Sequence, residues 1–271
     1  MERALVISDM HVGSKWGLTP KGKFNEDTNP FQRWVHRSWV DMVRKAKGSI
    51  DYLLLNGDLT DGNGMKSYGV EVNTTSLDDQ VNWTIELLEP LISNKTKIFG
   101  VDGSGYHSGK STNTDKRVVE NFEGVYFKST LHPNIGGHLI QMNHASGVTN
   151  FKREMKETLE YATREHIKAP EVILRGHIHR YTRMEDATIT AISTPSWQYP
   201  TPFIEKKKAN VKWDIGAIVM EFDKNIMKIY PLLYHTPTEV MNDMRGHMEV
   251  ESKKKGGTSK KWVELQGNRK W

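Results

Sequence analysis

The sequence predicts an α/β fold, and three observations carry the prediction. Through the first two-thirds of the chain, short apolar segments that read as buried strands alternate with amphipathic segments at helical spacing. The last third reads as strands alone, which adds antiparallel pairs. Several of the strands also end on clusters of Asp and His, and α/β folds gather ligands outside the carboxyl ends of their strands.

Arg3 to Ser8, apolar through Ala4-Leu5-Val6-Ile7, is a short buried strand. After a loop rich in Gly and Lys, Asn29-Pro30 opens a helix with Trp34, Val35, Trp39, Met42, Val43 and Ala46 at helical spacing, and Gly48 closes it. Ile50 to Leu55 is a second strand, ending in Asn56-Gly57-Asp58, and a polar loop follows from Leu59 to Thr75. Ser76 starts a helix with Val81, Ile85 and Leu88 on one face, ended or kinked by Pro90. Lys97 to Val101 is the third strand and runs into Asp102-Gly-Ser-Gly-Tyr-His107. A short helix around Lys116 to Phe122 precedes strands near Val125–Ser129 and Gly137–Asn143. Phe151, Met155, Leu159 and Ala162 mark the face of another helix, with His166 extending its stripe and Pro170 stopping it. Val172 to Leu174 is a strand ending at Gly176. Thr188–Ser193, Ile215–Phe222 and Ile226–Leu233 complete the strands, the last two joined by a turn at Asp223-Lys-Asn. With no internal repeat and no Pro- or Ser-rich linker, the expected organisation is one domain over residues 1–251 and a basic tail over 252–271.

Composition narrows the chemistry. Hydrophobic residues make up 37% and charged residues 26% of 271, the balance of a globular chain. No apolar run approaches the roughly 20 residues that span a bilayer. The N-terminus does not read as a secretion signal, and a cytoplasmic location is expected. Cysteine is absent, so a metal site must use His, Asp, Glu or Asn, which suits manganese, iron, zinc or nickel. The net charge of +5 is uneven: Ser252 to Trp271 hold seven Lys or Arg against Glu264, so the rest of the chain is close to neutral. A nucleic-acid surface is therefore expected, if anywhere, in the tail.

Four ligand clusters fall at or just after strands: Asp9-Met-His11, Gly57-Asp58, Asn143-His144 and His177-Ile-His179. Residues two apart in an extended segment point to the same side, so each Asp-x-His or His-x-His pair can chelate. Gly57 and Gly176 fit sharp turns or close backbone approach.

Asp9-x-His11, Gly57-Asp58-x-x-Asp61-Gly62, His144 and Gly176-His177-x-His179, in this order and at strand ends, resemble the motifs of the calcineurin-like metallophosphoesterases over roughly residues 1 to 180. The resemblance implies a four-layer α/β/β/α sandwich, with two mixed sheets packed face to face and helices outside. It also implies two divalent ions, manganese foremost, with one held by Asp9, His11, Asp58 and His179 and the other by Asp58, His144 and His177. The reaction it implies is hydrolysis of phosphate esters by a metal-activated hydroxide, with His107 protonating or stabilising the departing oxygen.

One segment departs from the pattern. The family carries Gly-Asn-His-Asp or Gly-Asn-His-Glu after the third strand, where this chain has Gly105-Tyr106-His107-Ser108. Tyr106 stands where a metal-binding Asn is expected, and a neutral phenol is a poor ligand, so a weaker second site is expected. Tyr106 either stacks on a base or sugar or packs under its loop.

Asp61 is expected to orient a neighbouring ligand or cap its loop. The loop Ser193 to Phe203, with two aromatics among three prolines, either walls the site or stiffens a connection between strands. The tail's lysines and Trp262 and Trp271 either hold a phosphate backbone and stack on bases or form a solvated tail. Substrates are expected to be phosphodiesters of nucleic acid or nucleotides. The alternatives are a phosphomonoesterase, or a binding module that keeps the scaffold without turnover. Gly62, where protein phosphatases carry Arg, argues against that branch.

Overall fold

A computed structural model describes residues 1–63, 69–107, 112–144, 151–201, 213–224 and 226–246, with the side chains of residues 151 and 152 excepted. The basic tail, Ser108, Phe203, Asn225 and the Phe151 side chain lie outside the described residues.

Two sheets form the centre. The first has six strands in the order β11-β10-β1-β2-β3-β4: β1 (Glu2–Ile7), β2 (Tyr52–Leu55), β3 (Lys97–Val101) and β4 (Val125–Lys128) run parallel, and β10 (Ile215–Asp223) and β11 (Ile226–Tyr234) add antiparallel strands. The second has the order β5-β6-β7-β9-β8: β6 (His138–Asn143), β7 (Val172–Arg175) and β9 (Thr190–Ser193) are parallel, and β5 (Asn134–Ile135) and β8 (Thr182–Glu185) pair antiparallel at its edges.

The layering follows from the two-residue period of the strands. In β1, Ala4 and Val6 join a core shared with Ile140, Met142, Val172, Leu174 and Ile192 of the second sheet, while Leu5 and Ile7 face the other way, towards helices. Leu54 and Leu53 of β2 divide in the same sense. The helix side of the first sheet is covered by α1 (Pro30–Ala46), α2 (Leu77–Leu88) and α3 (Thr114–Val119), with α5 over residues 238–246 adding Val240 and Met244. The outer face of the second sheet packs Ile173 and Ala191 against Met155 of α4 (Phe151–Arg164). This is the four-layer α/β/β/α sandwich.

Local chemistry accounts for the helix ends. Asn29 accepts from the Gln32 backbone while the Gln32 side chain accepts from Asn29, a capping box, with Pro30 in the first helical position. Gly48 follows α1 at φ +71, where a side chain would be strained.

Three expectations need correction. The last third is not all strand: α5 buries Val240 and Met244, but two buried positions in nine residues make too weak a period to read. The strand β8 pairs with β9 although its residues are mostly exposed and polar. The helix α4 stops at Arg164, not at Pro170, and His166 lies exposed beyond it rather than packed in the stripe. His166 takes φ +52 while the Ile167 N–H donates to the Ala162 carbonyl at 3.0 Å, a Schellman stop that needs no proline.

Candidate metal centre

Asp9 and His11 follow β1, Asp58 follows β2, His107 follows β3, His144 follows β6, and His177 and His179 follow β7. These are the carboxyl ends of parallel strands from both sheets, so stacking the sheets face to face brings the loops together. The Asp9 N–H donates to the Gly57 carbonyl at 3.0 Å and the His11 N–H to the Asp58 carbonyl at 3.1 Å, knitting the first two loops.

The backbone of these loops is unusual. Among the described residues, seven non-glycine residues have positive φ, and five of them are Asp9 (φ 53), His11 (46), Asp58 (49), His177 (70) and His179 (58). The left-handed region disfavours L side chains, and residues forced into it cluster at functional sites. The pairs therefore do not share a side through strand alternation, as the spacing suggested. Left-handed turns just past the strand ends aim them instead.

The side chains form three overlapping groups, each with its ligand atoms within 4.8 Å of one another: Asp9, His11 and His179; His11, Asp58 and His107; and Asp58, His144 and His177. Asp9 Oδ1 lies 3.1 Å from His179 Nε2, 3.9 Å from His11 Nε2 and 3.7 Å from His144 Nε2. Asp58 Oδ2 lies 2.9 Å from His144 Nε2. Asp58 thus stands between the group on the first loops and the group of His144 and His177. The His144 ring is wedged between Gly57 and Gly176, where added Cβ atoms would fall 2.7 and 2.4 Å from its Nδ1. His177 is exposed and meets His144 edge-on, with ring centroids 5.6 Å apart.

Outer contacts orient the rings. His11 Nδ1 lies 3.0 Å from Asp61 Oδ1, and His144 Nδ1 donates to the Asn56 carbonyl at 2.7 Å, so each ring turns Nε2 inward. With its proton on Nδ1, His11 offers only a lone pair at Nε2, yet His179 Nε2 stands 3.2 Å away. If His179 fills that gap with a proton, its own Nδ1 is left a bare acceptor, and that atom is buried with no hydrogen-bond partner. Three carboxylates, Asp9, Asp58 and Asp61, are buried here beside these nitrogens. Buried charges need a partner or a metal. A divalent cation among the inward Nε2 atoms and carboxylate oxygens would take up the facing Nε2 lone pairs of His11 and His179 and the buried negative charge, although His179 Nδ1 keeps no partner, and the donor set fits manganese, iron, zinc or nickel.

The electrostatics follow from the same contacts. Burial alone would raise the carboxyls of Asp9 and Asp58, but it is outweighed by His144 and His179 together at Asp9 and by His144 with His107 and His11 at Asp58, so both are held below the ordinary value. Burial would lower His144, but Asp58 and Asp9 push it up to about 10. At His107, burial is overcome by the hydrogen bond to Asp61 and the charge of Asp58, and the imidazole is pushed up to about 9. His107 Nδ1 donates to the Asp61 carbonyl at 2.8 Å and lies 3.4 Å from its carboxylate, which leaves Nε2 as the outward nitrogen. Burial, then the charge of His107, lowers His11.

Several contributors were not legible in the sequence. Ser104 donates its N–H to Asp58 Oδ1 at 2.7 Å, and its hydroxyl lies 3.1 Å from both Asp58 oxygens. Asp115, fully buried at the start of α3, accepts the N–H groups of Gly103 (2.8 Å), Leu59 (2.9 Å) and Asp58 (3.2 Å). Trp213 stands edge-on to His179, centroids 4.8 Å apart. None follows a recognisable spacing; each is placed by loops crossing in space.

Tyr106 is not packed under its loop. It is 44% exposed, with its ring edge-on to His107 at 4.7 Å. The aromatics of the loop after β9 do not wall the site either: Trp197 and Tyr199 are buried in the helix-side core against Trp39 and Phe31. They support the site from behind, the Trp197 N–H donating to the Asp9 carbonyl at 2.9 Å and Gln198 Nε2 to Asp61 Oδ1 at 3.3 Å.

Residues 2–181 match the family model for calcineurin-like phosphoesterases. No curated protein matches the sequence significantly. Among solved structures, an archaeal phosphodiesterase is similar at 11% identity over 85% of this chain and 99% of its own, with a TM-score of 0.47. A predicted phosphoesterase of Streptococcus pneumoniae is similar at 14% identity over 86% and 89%, TM-score 0.41. Vacuolar protein sorting 29 of Cryptosporidium parvum is similar at 12% identity over 87% and 98%, TM-score 0.43.

Proposed function

The chain belongs to the calcineurin-like phosphoesterase family, and on that premise we propose that it is a metal-dependent hydrolase of phosphodiesters in nucleic acid or nucleotides. The observation that carries the reading is the convergence of Asp9, His11, Asp58, His144, His177 and His179 on one place, with His107 beside them. Asp9, His11 and His179, with Asp58, would hold one divalent ion, and Asp58, His144 and His177 the other. Bound there, such ions supply Lewis-acid polarisation of the phosphoryl group and a lowered pKa for coordinated water.

The chain's own residues supply the rest. Asp61 and Asp58 favour the charged form of His107, and its outward Nε2 would deliver a proton to the departing oxygen. Asp61 holds both His11 and His107 in orientation. The nucleotide preference rests on a row of rings across the site: Tyr106 on His107, His107 on His11 at 4.4 Å, His11 near His179 at 5.0 Å, and His179 on Trp213. An exposed Tyr at one end and a half-exposed Trp at the other offer stacking faces for planar substituents of a diester. The basic tail is a second expected contact for a phosphate backbone.

Turnover of an aryl monophosphate, an aryl phosphodiester and labelled single- and double-stranded DNA, measured with several divalent metals, tests this reading. The diester and DNA are expected to turn over, fastest with manganese. Monoester preference would assign a phosphomonoesterase. No turnover of any substrate, with metal bound, would leave the scaffold as a binding module.

A further inference from the structure

We propose that Ser104, not Tyr106, is the residue of the β3 loop that completes the second metal position, through its hydroxyl oxygen. The proposal rests on the two-ion reading above.

The loop after β3 crosses directly over Asp58. Gly103 makes the approach possible: a Cβ there would fall 2.2 Å from Asp58 Oδ1 and 2.3 Å from the Asp58 nitrogen. Asp115 fixes the crossing from beneath by accepting N–H groups from both strand-end loops, Gly103 on one and Asp58 and Leu59 on the other. The next residue along, Ser104, is thereby set on the carboxylate, with its N–H on Oδ1 and its hydroxyl 3.1 Å from each oxygen. Asp58 Oδ2 is also the atom 2.9 Å from His144 Nε2, so Ser104 Oγ and His144 Nε2 flank one carboxylate oxygen.

The chemistry suits a ligand. A hydroxyl that gives its one hydrogen to a carboxylate keeps its lone pairs, and Ser or Thr hydroxyls serve as neutral oxygen ligands to divalent ions in phosphate-binding loops. An amide oxygen is likewise a neutral oxygen donor, so Ser104 replaces the expected Asn in kind although two positions earlier in sequence. Tyr106 is 44% exposed, with its ring edge-on to His107.

The test uses the full chain stripped of metal and titrated with manganese, by calorimetry and by electron paramagnetic resonance for a spin-coupled pair. Wild type is expected to bind two ions. Ser104→Ala should keep the first and bind the second about 10- to 100-fold more weakly, losing the coupled signal. Ser104→Thr should restore it and Tyr106→Phe should leave it unchanged. Because the chain has no cysteine, Ser104→Cys introduces a single thiol. With cobalt it should give a thiolate-to-metal charge-transfer band at the second equivalent, which a residue that merely positions Asp58 would not produce. Two ions held by Ser104→Ala with wild-type affinity, or no charge-transfer band, would overturn the proposal. A wild type that binds one ion and turns over diesters would overturn it while sparing the enzyme reading. Absence of both binding and turnover would overturn the reading itself.

Discussion

Replacing Gly103 with alanine puts a methyl carbon 2.2 Å from Asp58 Oδ1, 2.3 Å from the Asp58 nitrogen and 2.6 Å from Asp115 Oδ2. None of these atoms is the far end of a flexible chain: Asp58 is pinned by Ser104 and His144, and Asp115 by three N–H groups. Reaching ordinary contact, about 3.4 Å, requires the two loops to part by about 1 Å, beyond the roughly 0.5 Å within which a site must be held. Overpacking of this kind costs about 1–3 kcal/mol. At about 2–4 °C per kcal/mol for a chain of this size, the melting temperature should fall by about 2–12 °C. Activity should suffer more, because a misplacement of about 1 Å costs on the order of 100-fold. The assay is kcat/KM on an aryl phosphodiester beside a thermal melt, with Gly22→Ala as control, since nothing lies within 4 Å of a Cβ at Gly22. The control should be silent in both. Wild-type activity in Gly103→Ala would refute the close crossing of the two loops.

Other residues of the site give separate tests. Asp61→Asn should drop the His107 pKa well below about 9, followed by imidazole nitrogen resonances in metal-free protein; an unmoved pKa would exclude Asp61 as the cause. Since the folded pKa is raised above the ordinary 6.5, His107 adds stability that is fully present below pH 6.5 and lost as pH rises through about 9. Asp61→Asn should therefore show a smaller loss of stability across that window. His107→Gln should slow diesters with alkyl leaving groups by about 10²- to 10⁴-fold but p-nitrophenyl esters far less, and equal losses would remove His107 as the proton donor. Trp213→Ala and Tyr106→Ala should each raise KM for nucleotide diesters about 5- to 100-fold, as loss of one stacked base does, with little change for a small alkyl-aryl diester. A uniform change across substrates would dismiss the stacking faces.

Much of the architecture was written in local patterns. The third strand, Lys97–Val101, and the first helix were legible because apolar period, Asn29-Pro30 and Gly48 agree. The β8 strand and α5 were not, because exposed polar residues or only two buried positions leave no period to read. The end of α4 misled because Pro170 is a conspicuous stop, whereas the actual stop, His166 in a left-handed turn, is a conformation that no residue type announces except glycine.

By itself the sequence determined the class of fold and the identity of the candidate ligands: Asp and His at strand ends, in a recognisable order, are properties of residue type and spacing. Tertiary structure alone decided how they are used. Left-handed turns, not strand alternation, aim Asp9, His11, His177 and His179. The crossing of the β3 loop over Asp58 sets the Ser104 hydroxyl on that carboxylate, where the family resemblance directs attention to Tyr106, and buries Asp115 beneath both loops. The contacts of Asp58 with Ser104 and with Asp115 join residues 46 and 57 positions apart, and their geometry depends on how the loops cross in space, which no local pattern encodes.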